Sequence, residues 1–395
     1  MKKTLLKDIF SIRKGKKVEP VEVPSDDTIR YIQIEDLRDN SNPKFCLPND
    51  NYVIANKNHI IIAWDGANAG TVSYGLEGAI GSTLAILETR EKNVFIPYVG
   101  KFLQSKNQYL RDTCTGATIP HISRKALENI VIPLPSVERQ KYISNTLDKA
   151  KSLIVKRKAQ IEALDQLTQS VFLEMFGDPS TNPKRWKKVN LEEIAIKEKG
   201  AIKSGPFGSQ LLISEYVKNG IPVLGIDNVE KNKFVWAKPK AISEQKYKEL
   251  KAFRVYSGDV LISRTGTVGR TCVVPDDFKE GIIGPNLLKV TLDKNLMLPE
   301  VLSIMFNYLP HVINQIKWMS PGATVPVFNT KNLKKVKVLV PDKKVQVEFV
   351  KKIKEVEELK SKFILGLTDL EKNYNSLMQR AFKGELFTEE KVSNL

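Results

Sequence analysis

The feature that most constrains this chain is self-similarity at long range. Gly116-Ala117-Thr118-Ile119-Pro120 returns 206 residues later as Gly322-Ala323-Thr324-Val325-Pro326. The same offset holds without a gap onward: Leu127 maps to Leu333, Ile130 to Val336, Ile132 to Val338, Pro135 to Pro341 and Gln140 to Gln346. Upstream the match loosens. Ile60-Ile61-Ile62 answers to Val260-Leu261-Ile262, Gly78-Ala79-Ile80-Gly81 to Gly281-Ile282-Ile283-Gly284, and residues 29–37 to residues 221–229. A period this long is not that of a solenoid, whose repeats are a few tens of residues. It is that of a duplicated domain with a connector.

Each copy changes texture once. The first part holds short β-branched runs between Gly and Pro, such as Tyr31-Ile32-Gln33-Ile34, Ile60-Ile61-Ile62-Ala63 and Leu84-Ala85-Ile86-Leu87, which read as strands between turns. Helical stretches at 98–109 and 300–316 interrupt them, and a short helix capped by Ser123 or Asn329 leads to a last strand. The expectation is a mixed α/β domain, present twice. The second part is helical. From 137 to 176 there is no Pro or Gly. Stepping four and three residues through Ile143, Leu147, Ala150, Ile154, Arg157, Ile161, Leu164, Thr168, Val171 and Met175 meets eight apolar side chains in ten. The equivalent positions from Phe349 through Ile353, Val356, Lys360, Phe363, Leu367, Leu370, Tyr374 and Leu377 to Ala381 give nine apolar or aromatic in ten. That heptad spacing marks a coiled-coil seam. Ser136 and Asp342 start the helices; Gly177 with Pro179, and Gly384, stop them. A helix about 60 Å long with one apolar stripe needs a partner. The other copy supplies it, antiparallel if the copies are related by an approximate two-fold axis. The alternative is that each helix packs on its own domain. The chain then divides into a first globular domain (1–135), a central helix (136–180), a second globular domain (181–341), a C-terminal helix (342–384) and a tail (385–395).

Composition narrows the function. Lys and Arg number 62 against 45 Asp and Glu, a formal charge of +17. This is either a lysine-rich solvated surface or the footprint of a polyanion partner, most often nucleic acid. The charge clusters at Arg13-Lys14-Gly15-Lys16-Lys17, at Lys184-Arg185-Trp186-Lys187-Lys188, and at Lys331, Lys334, Lys335, Lys337, Lys343 and Lys344. Such clusters neutralise phosphates but carry no sequence information. Catalytic signatures are missing. His59, His121 and His311 have no partner at metal-ligand spacing, so no metal site is expected. No GxxxxGK[ST], GxGxxG or GxSxG occurs. Pro341-Asp342 with Glu358-Leu359-Lys360 fits the loose pattern of metal-dependent nucleases, but on one helix the two carboxylates stand about four turns apart and cannot share an ion. Cys46, Cys114 and Cys272 form no CxxC pair, which fits a reducing cytoplasm. The start lacks the apolar run of a signal peptide, and no stretch reaches the length of a membrane span.

A basic, duplicated chain with no catalytic constellation reads as a two-headed DNA reader. If both heads approach one side of the duplex, half-site centres fall about 10 bp apart. Because the heads differ in sequence, the target is bipartite and asymmetric. Loop positions supply the candidate contacts: Lys14, Lys16 and Lys17 for phosphate; Trp64, Asp65 and Asn68 after one apolar strand, and Arg264, Thr265 and Thr267 after its equivalent, for bases. Thr118 with His121, and Thr324 with Lys331, precede or open the short helices, where they either bind phosphate or cap. Lys203 and Ser204 begin the Gly205-Pro206-Phe207-Gly208-Ser209 stretch of the second head. Trp64 as core and Asp65 as a turn cap are the competing readings for those two.

These residues resemble a known family. The Gly-Ala-Thr-hydrophobic-Pro segment before a short helix and a Pro-ended strand occurs at 116–135 and again at 322–341. Met175-Phe176-Gly177-Asp178-Pro179 closes the central helix, and Ala381-Phe382-Lys383-Gly384-Glu385-Leu386 closes the second. With Lys203-Ser204-Gly205-Pro206-Phe207-Gly208-Ser209, and in this order, they make the whole chain similar to the specificity subunit of type I restriction–modification enzymes. The resemblance implies an α/β fold with a pseudo-two-fold internal repeat: two similar mixed α/β target recognition domains joined by two long antiparallel coiled-coil helices that act as a ruler. It implies a non-catalytic subunit that binds double-stranded DNA and scaffolds two methyltransferase subunits and restriction/translocase subunits. S-adenosylmethionine, ATP and Mg²⁺ then belong to those partners and no cofactor to this chain. The first head lacks a recognisable Gly-Pro-Phe-Gly-Ser; near its place stands Arg13-Lys14-Gly15-Lys16-Lys17. The remaining alternatives are the equivalent subunit of a related system that cuts on both sides of its target, a stand-alone nuclease with an unfamiliar site, and a dimerisation scaffold with incidental charge.

Overall fold

The computed structural model describes residues 2–116, 118–237, 240–319 and 328–386. The chain divides into two compact units, Met1–Lys158 with Leu365–Leu395, and Ala159–Ile364.

In the first unit, β1 (Lys2–Leu5), α1 (Leu6–Ile9), β2 (Ser11–Lys14), β3 (Ile29–Ile32), β4 (Lys44–Cys46), β5 (Ile54–Ala55), β6 (Ile60–Ala63), β7 (Val72–Tyr74), β8 (Gly78–Ile80) and β9 (Leu84–Glu88) come first. They are followed by α2 (Ile96–Ser105), α3 (Asn107–Asp112), α4 (Arg124–Glu128), β10 (Val131–Leu134) and the long α5 (Val137–Phe176), of which the part up to Lys158 belongs to this unit. One sheet, β2-β9-β6-β7, is antiparallel throughout. Its central strands are apolar at every position from Ile60 to Ala63 and from Leu84 to Leu87 because each face has its own core. Ile60, Ile62, Ala85 and Leu87 face one cluster, while Ile61, Ala63, Leu84 and Ile86 face another. The second sheet, β4-β3-β8-β5, contains the parallel pair β3–β8. β1 returns antiparallel to β10.

The second unit repeats this order with β11 (Lys187–Asn190), α6 (Leu191–Ile194), β12 (Ile202–Ser204), β13 (Tyr216–Val217), β14 (Ile221–Leu224), β15 (Val229–Glu230), β16 (Lys233–Phe234) and β17 (Lys240–Ile242). Next come α7 (Glu244–Glu249), β18 (Val260–Ser263), β19 (Thr271–Val273), β20 (Ile282–Ile283) and β21 (Leu287–Val290). The unit ends in α8 (Pro299–Tyr308), α9 (Pro310–Met319), α10 (Thr330–Lys334), β22 (Lys337–Val340) and the part up to Ile364 of α11 (Lys343–Lys383), whose remainder belongs to the first unit. The sheet β12-β21-β18-β19 has the connectivity of β2-β9-β6-β7, the parallel pair β14–β20 answers to β3–β8, and β11–β22 to β1–β10. Val260 and Ile262 face one core and Leu261 the other, as in the first head. The 206-residue repeat is therefore a repeat of topology, and the two heads are built alike.

The helix ends follow the sequence cues. Ser136 Oγ accepts from the Arg139 N–H at 3.4 Å, and the Asp342 carbonyl from the Gln346 N–H at 3.1 Å. Gly177 and Gly384 end the helices at φ +78° and +82°, where an L side chain is strained. A repeated buried amide fixes each helix to its head. Gln140 Oε1 accepts from Phe95 N–H at 2.9 Å while its amide donates to Asn93 and Pro135 carbonyls; Gln346 does the same with Leu298, Leu296 and Pro341. Part of the basic cluster at 184–188 is also structural: Lys184 and the Trp186 indole donate to the Met175 and Phe176 carbonyls that α5 leaves open.

Within each unit the two long helices run antiparallel. In the first, Lys158 pairs with Glu371 at 2.9 Å, and Gly366 leaves room for the Arg157 guanidinium. In the second, Phe172 and Phe176 stack on Phe349, and Asp165 binds Lys360. The seam residues are the less exposed ones: Ile143, Leu147 and Phe349 are at most 1% exposed, Leu164 and Met175 9%, and positions such as Ile154, Ile161 and Leu367 half-buried.

The polar seam position Lys360 belongs to a small network in which Tyr308 Oη donates to Asp165 and Lys231 lies 3.6 Å over the Tyr308 ring. Glu357 lies beside it, half-buried, its Oε1 without a hydrogen-bond partner among the described residues. Burial above all holds its carboxyl above the ordinary value of 4.5; Lys360, Lys231 and Lys233 oppose this and the charge of Asp165 adds to it. An acid raised on folding contributes stability below its ordinary pKa and loses it as pH rises through the raised one. Glu357→Gln should therefore raise Tm at pH 8 and give no gain at pH 4, which thermal melts at the two pH values test.

Candidate nucleic-acid interface

In both heads the same end of the antiparallel sheet collects the loops. β2 ends at Lys14 and β6 at Ala63, on either side of the start of β9. The Gly15 N–H donates to Leu84 O at 2.8 Å and the Trp64 N–H to Thr83 O at 2.8 Å, so both exits are tied to one strand. A third segment closes on them. The Ile122 N–H donates to Trp64 O and the Gly66 N–H to Pro120 O, each at 2.9 Å. Thr115 and His121 exchange backbone hydrogen bonds, which leaves Thr118 exposed in the loop between.

Side chains cross this edge. Asp65 accepts from Lys14 Nζ at 2.7 Å and faces His121 Nδ1 at 2.7 Å. Burial pushes the Asp65 carboxyl up, but the hydrogen bonds and charges of Lys14 and His121 outweigh it and hold the group below its ordinary range. Asp65 thus stays ionised and orients two cationic or donor side chains that are each about half exposed. Lys16 and Lys17 are exposed just beyond. Trp64 is half-buried and packs on the first head's core, so its ring supports the loop and its backbone does the joining. Asn68 is half-buried, its carbonyl taken by Thr71. Neither Thr118 nor His121 caps α4; Ser123 does, accepting from Ala126 N–H at 3.3 Å.

The second head places its candidates on the equivalent edge. The Gly205 N–H donates to Leu287 O at 3.1 Å, the Arg264 N–H to Asn286 O at 3.0 Å, and the Phe328 N–H to Arg264 O at 3.0 Å. These match the bonds of Gly15, Trp64 and Ile122 one for one. Gly15 is therefore the counterpart of Gly205, an equivalence the side chains hide. A Cβ on Gly15 would stand 2.2 Å from Gly81 O, and one on Gly205 1.9 Å from Gly284 O. Lys203 lies 4.8 Å over the Phe253 ring, and Ser204 ends β12 half-buried. Arg264 Nη1 reaches Pro285 O at 3.4 Å, and its buried Nε has no hydrogen-bond partner among the described residues. Thr265 is half-buried. Thr267 is exposed, and its carbonyl binds Arg270 N–H and Ser263 Oγ. Lys331 is exposed on α10, whose cap is Asn329. Thr324 lies outside the described residues.

Buried charges escaped the sequence reading. Lys101, 2% exposed, donates to Asp148, Ser144 and Tyr74, and Lys289 pairs with the fully buried Asp259 at 2.9 Å. Their partners are 27 to 47 residues away, and nothing in the local sequence sets them apart from surface lysines. Among the described residues no three His, Cys, Asp or Glu side chains are placed to hold a metal, and no helix is long and apolar enough to cross a membrane.

Comparison with known proteins fits this architecture. A family described as the type I restriction modification DNA specificity domain matches residues 1–163 and again 183–369. The chain is 27% identical to the type I restriction enzyme MjaVIII specificity subunit of Methanocaldococcus jannaschii over 92% of its length and 87% of that protein's. It is 24% identical to the EcoKI specificity subunit of Escherichia coli K12 over 80% of this chain and 71% of that one. Among solved structures, the S subunit of a type I restriction-modification system from M. genitalium aligns over 96% of both chains with a TM-score of 0.55 at 17% identity. A chain from work on complex assembly and conformational transition of the type I R-M system aligns over 98% of both with a TM-score of 0.59 at 18% identity. At these identities the structural likeness speaks for the fold. The family match, which falls once on each head and covers most of the sequence, makes this chain a member of the type I restriction–modification DNA specificity family.

Proposed function

We propose that the chain is the non-catalytic DNA-reading subunit of a type I restriction–modification complex, and that each head reads one half of a split, asymmetric target at its strand-end edge. The observation that carries this is the pairing of matching backbone hydrogen bonds with unlike side chains. The hydrogen bonds of Gly15, Trp64 and Ile122 recur at Gly205, Arg264 and Phe328, yet one edge presents Lys14, Asp65, His121, Lys16 and Lys17 and the other Ser204, Phe207, Arg264 and Thr267. A fixed scaffold carrying different donors and acceptors is what two different half-sites require. The exposed lysines supply sequence-independent attraction, so affinity should fall steeply with salt. In this reading two methyltransferase subunits, and for cleavage the restriction/translocase subunits, assemble on the chain; they bring S-adenosylmethionine, ATP and Mg²⁺, and adenine is the methylated base.

The direct test is methylome sequencing of the host with and without the gene. The expected result is loss of one split adenine-methylation motif. An unchanged set of motifs, or cutting of DNA by the purified chain alone with Mg²⁺, overturns the proposal.

A further inference from the structure

The second head holds a cavity of about 380 Å³ lined by, among others, Tyr216, Gly225, Asp227, Lys240, Pro285 and Asn286. It lies at the strand-end edge. Gly225 follows β14, and residues 284–286 lead from β20 into β21. Arg264, leaving β18 at the same edge, bonds to the carbonyls of both Pro285 and Asn286. The cavity therefore shares a wall with a candidate reading loop.

The first head shows the same place filled. Ile32 pairs with Ile80 across the parallel strands as Leu224 pairs with Ile283, so Gln33 occupies the position of Gly225. The local bonds agree: Asp36 Oδ2 accepts from Gln33 N–H at 2.6 Å, and Asn228 Oδ1 from Gly225 N–H at 2.8 Å. On the neighbouring strand Lys44 stands opposite Tyr31, and Lys240 opposite the equivalent Val223. In the first head Lys44 Nζ donates to Gln33 Oε1 at 2.6 Å. In the second, glycine removes that amide, and Lys240 lies instead 5.1 Å over the Tyr216 ring. The backbone does not call for glycine here: Gly225 has φ −116° and ψ −175°, extended values open to any residue. Nor do neighbours, since among the described residues nothing lies within 4 Å of where its Cβ would be. What the glycine provides is the space itself.

We propose that this cavity is a reading pocket for a single nucleobase of the target duplex, open in the second head and plugged in the first. The proposal rests on the DNA-reading assignment above. Its volume falls in the range of about 300–1,000 Å³ typical of ligand sites. The Tyr216 and Pro285 rings offer flat apolar walls. Asp227, exposed, accepts from an exocyclic amine; Asn286 both donates and accepts; Lys240 donates to a ring nitrogen or carbonyl.

Gly225→Gln rebuilds the first head's plug, with Lys240 placed to hold it. The full chain, assembled with its methyltransferase subunits, is tested at fixed salt for binding to duplexes in which every base of both half-sites is replaced in turn. The expected result is an unchanged Tm and a loss of about tenfold in discrimination at one position of the second head's half-site, with the first head's half-site read as before. Should Gly225→Gln lower the Tm, Asp227→Ala, on an exposed side chain, reports the same position. Discrimination unchanged at every position, or lost evenly across both half-sites, overturns the pocket while leaving the DNA-reading assignment in place. A wild-type complex with no sequence preference at all overturns that assignment, and the pocket with it.

Discussion

Gly205→Ala should lower Tm by about 5–10 °C and abolish recognition of the second head's half-site while the first head still reads its own. An added Cβ would stand 1.9 Å from Gly284 O and 2.9 Å from Ile283 O. Those are backbone atoms at the end of β20, so no side-chain rotation relieves the clash. Either the 203–208 loop lifts away or β20 shifts from β14, and overpacking of this kind costs about 1–3 kcal/mol or more, which for a unit of this size is a few degrees per kcal/mol. Both responses displace Ser204 and Arg264, because Gly205 and Arg264 bond to consecutive carbonyls, Leu287 and Asn286. Gly15→Ala should do the same to the first head, where the carbonyls are those of Gly81 and Ile80. Gly225→Ala, with no described residue within 4 Å of its Cβ, is the control and should melt with the wild type. Thermal melts and half-site substitution binding check all three; a Gly205→Ala protein that melts and binds like wild type would show that the close backbone approach plays no part.

This equivalence is also where sequence and structure part. Around Gly205 the chain reads Lys203-Ser204-Gly205-Pro206-Phe207, and around Gly15 it reads Arg13-Lys14-Gly15-Lys16-Lys17. A cation and a glycine are all they share, so alignment by side chains finds no second copy. What both preserve is a strand passing against a carbonyl, a requirement on the backbone that one residue type meets. The long helices were legible for the opposite reason. A heptad pattern over forty residues accumulates many agreeing positions, whereas β5, β13, β15, β16 and β20 are two residues each and carry no period. The strand-end edge was half legible. Lys14, Asp65 and His121 each stand in a stretch that reads as loop, but that they meet depends on β2, β6 and the 115–122 segment converging, and the segment begins 52 residues after β6 ends at Ala63 (115 − 63). The roles of Trp64 as packing and of Lys184 and Trp186 as the end of α5 depend on tertiary burial, which a basic or aromatic residue in a loop does not announce.

Phe349→Ala should cost about 3–5 kcal/mol, the largest loss expected from any single change in the helix pair. Phe349 is fully buried near the start of α11, its ring 5.6 Å from that of Phe172 and 4.8 Å from that of Phe176, both fully buried near the end of α5. These contacts exist because the helices run antiparallel: the beginning of one meets the end of the other, and all three rings join the core of the second head. Truncation leaves a cavity between two helices and a sheet that cannot all close on it. The diagnostic is coupling rather than size. In a double-mutant cycle Phe349→Ala and Phe172→Ala should cost less together than the sum of the two singles by about 0.5–1.5 kcal/mol, since each single already removes the shared edge-to-face contact. In the first unit α11 carries Phe382, 5.4 Å from Tyr98 and 5.2 Å from Phe102 and only partly buried, so Phe382→Ala should cost less. Strict additivity of Phe349 and Phe172 would mean that the two helices do not pack on each other there, and the heptad seam would then need another partner.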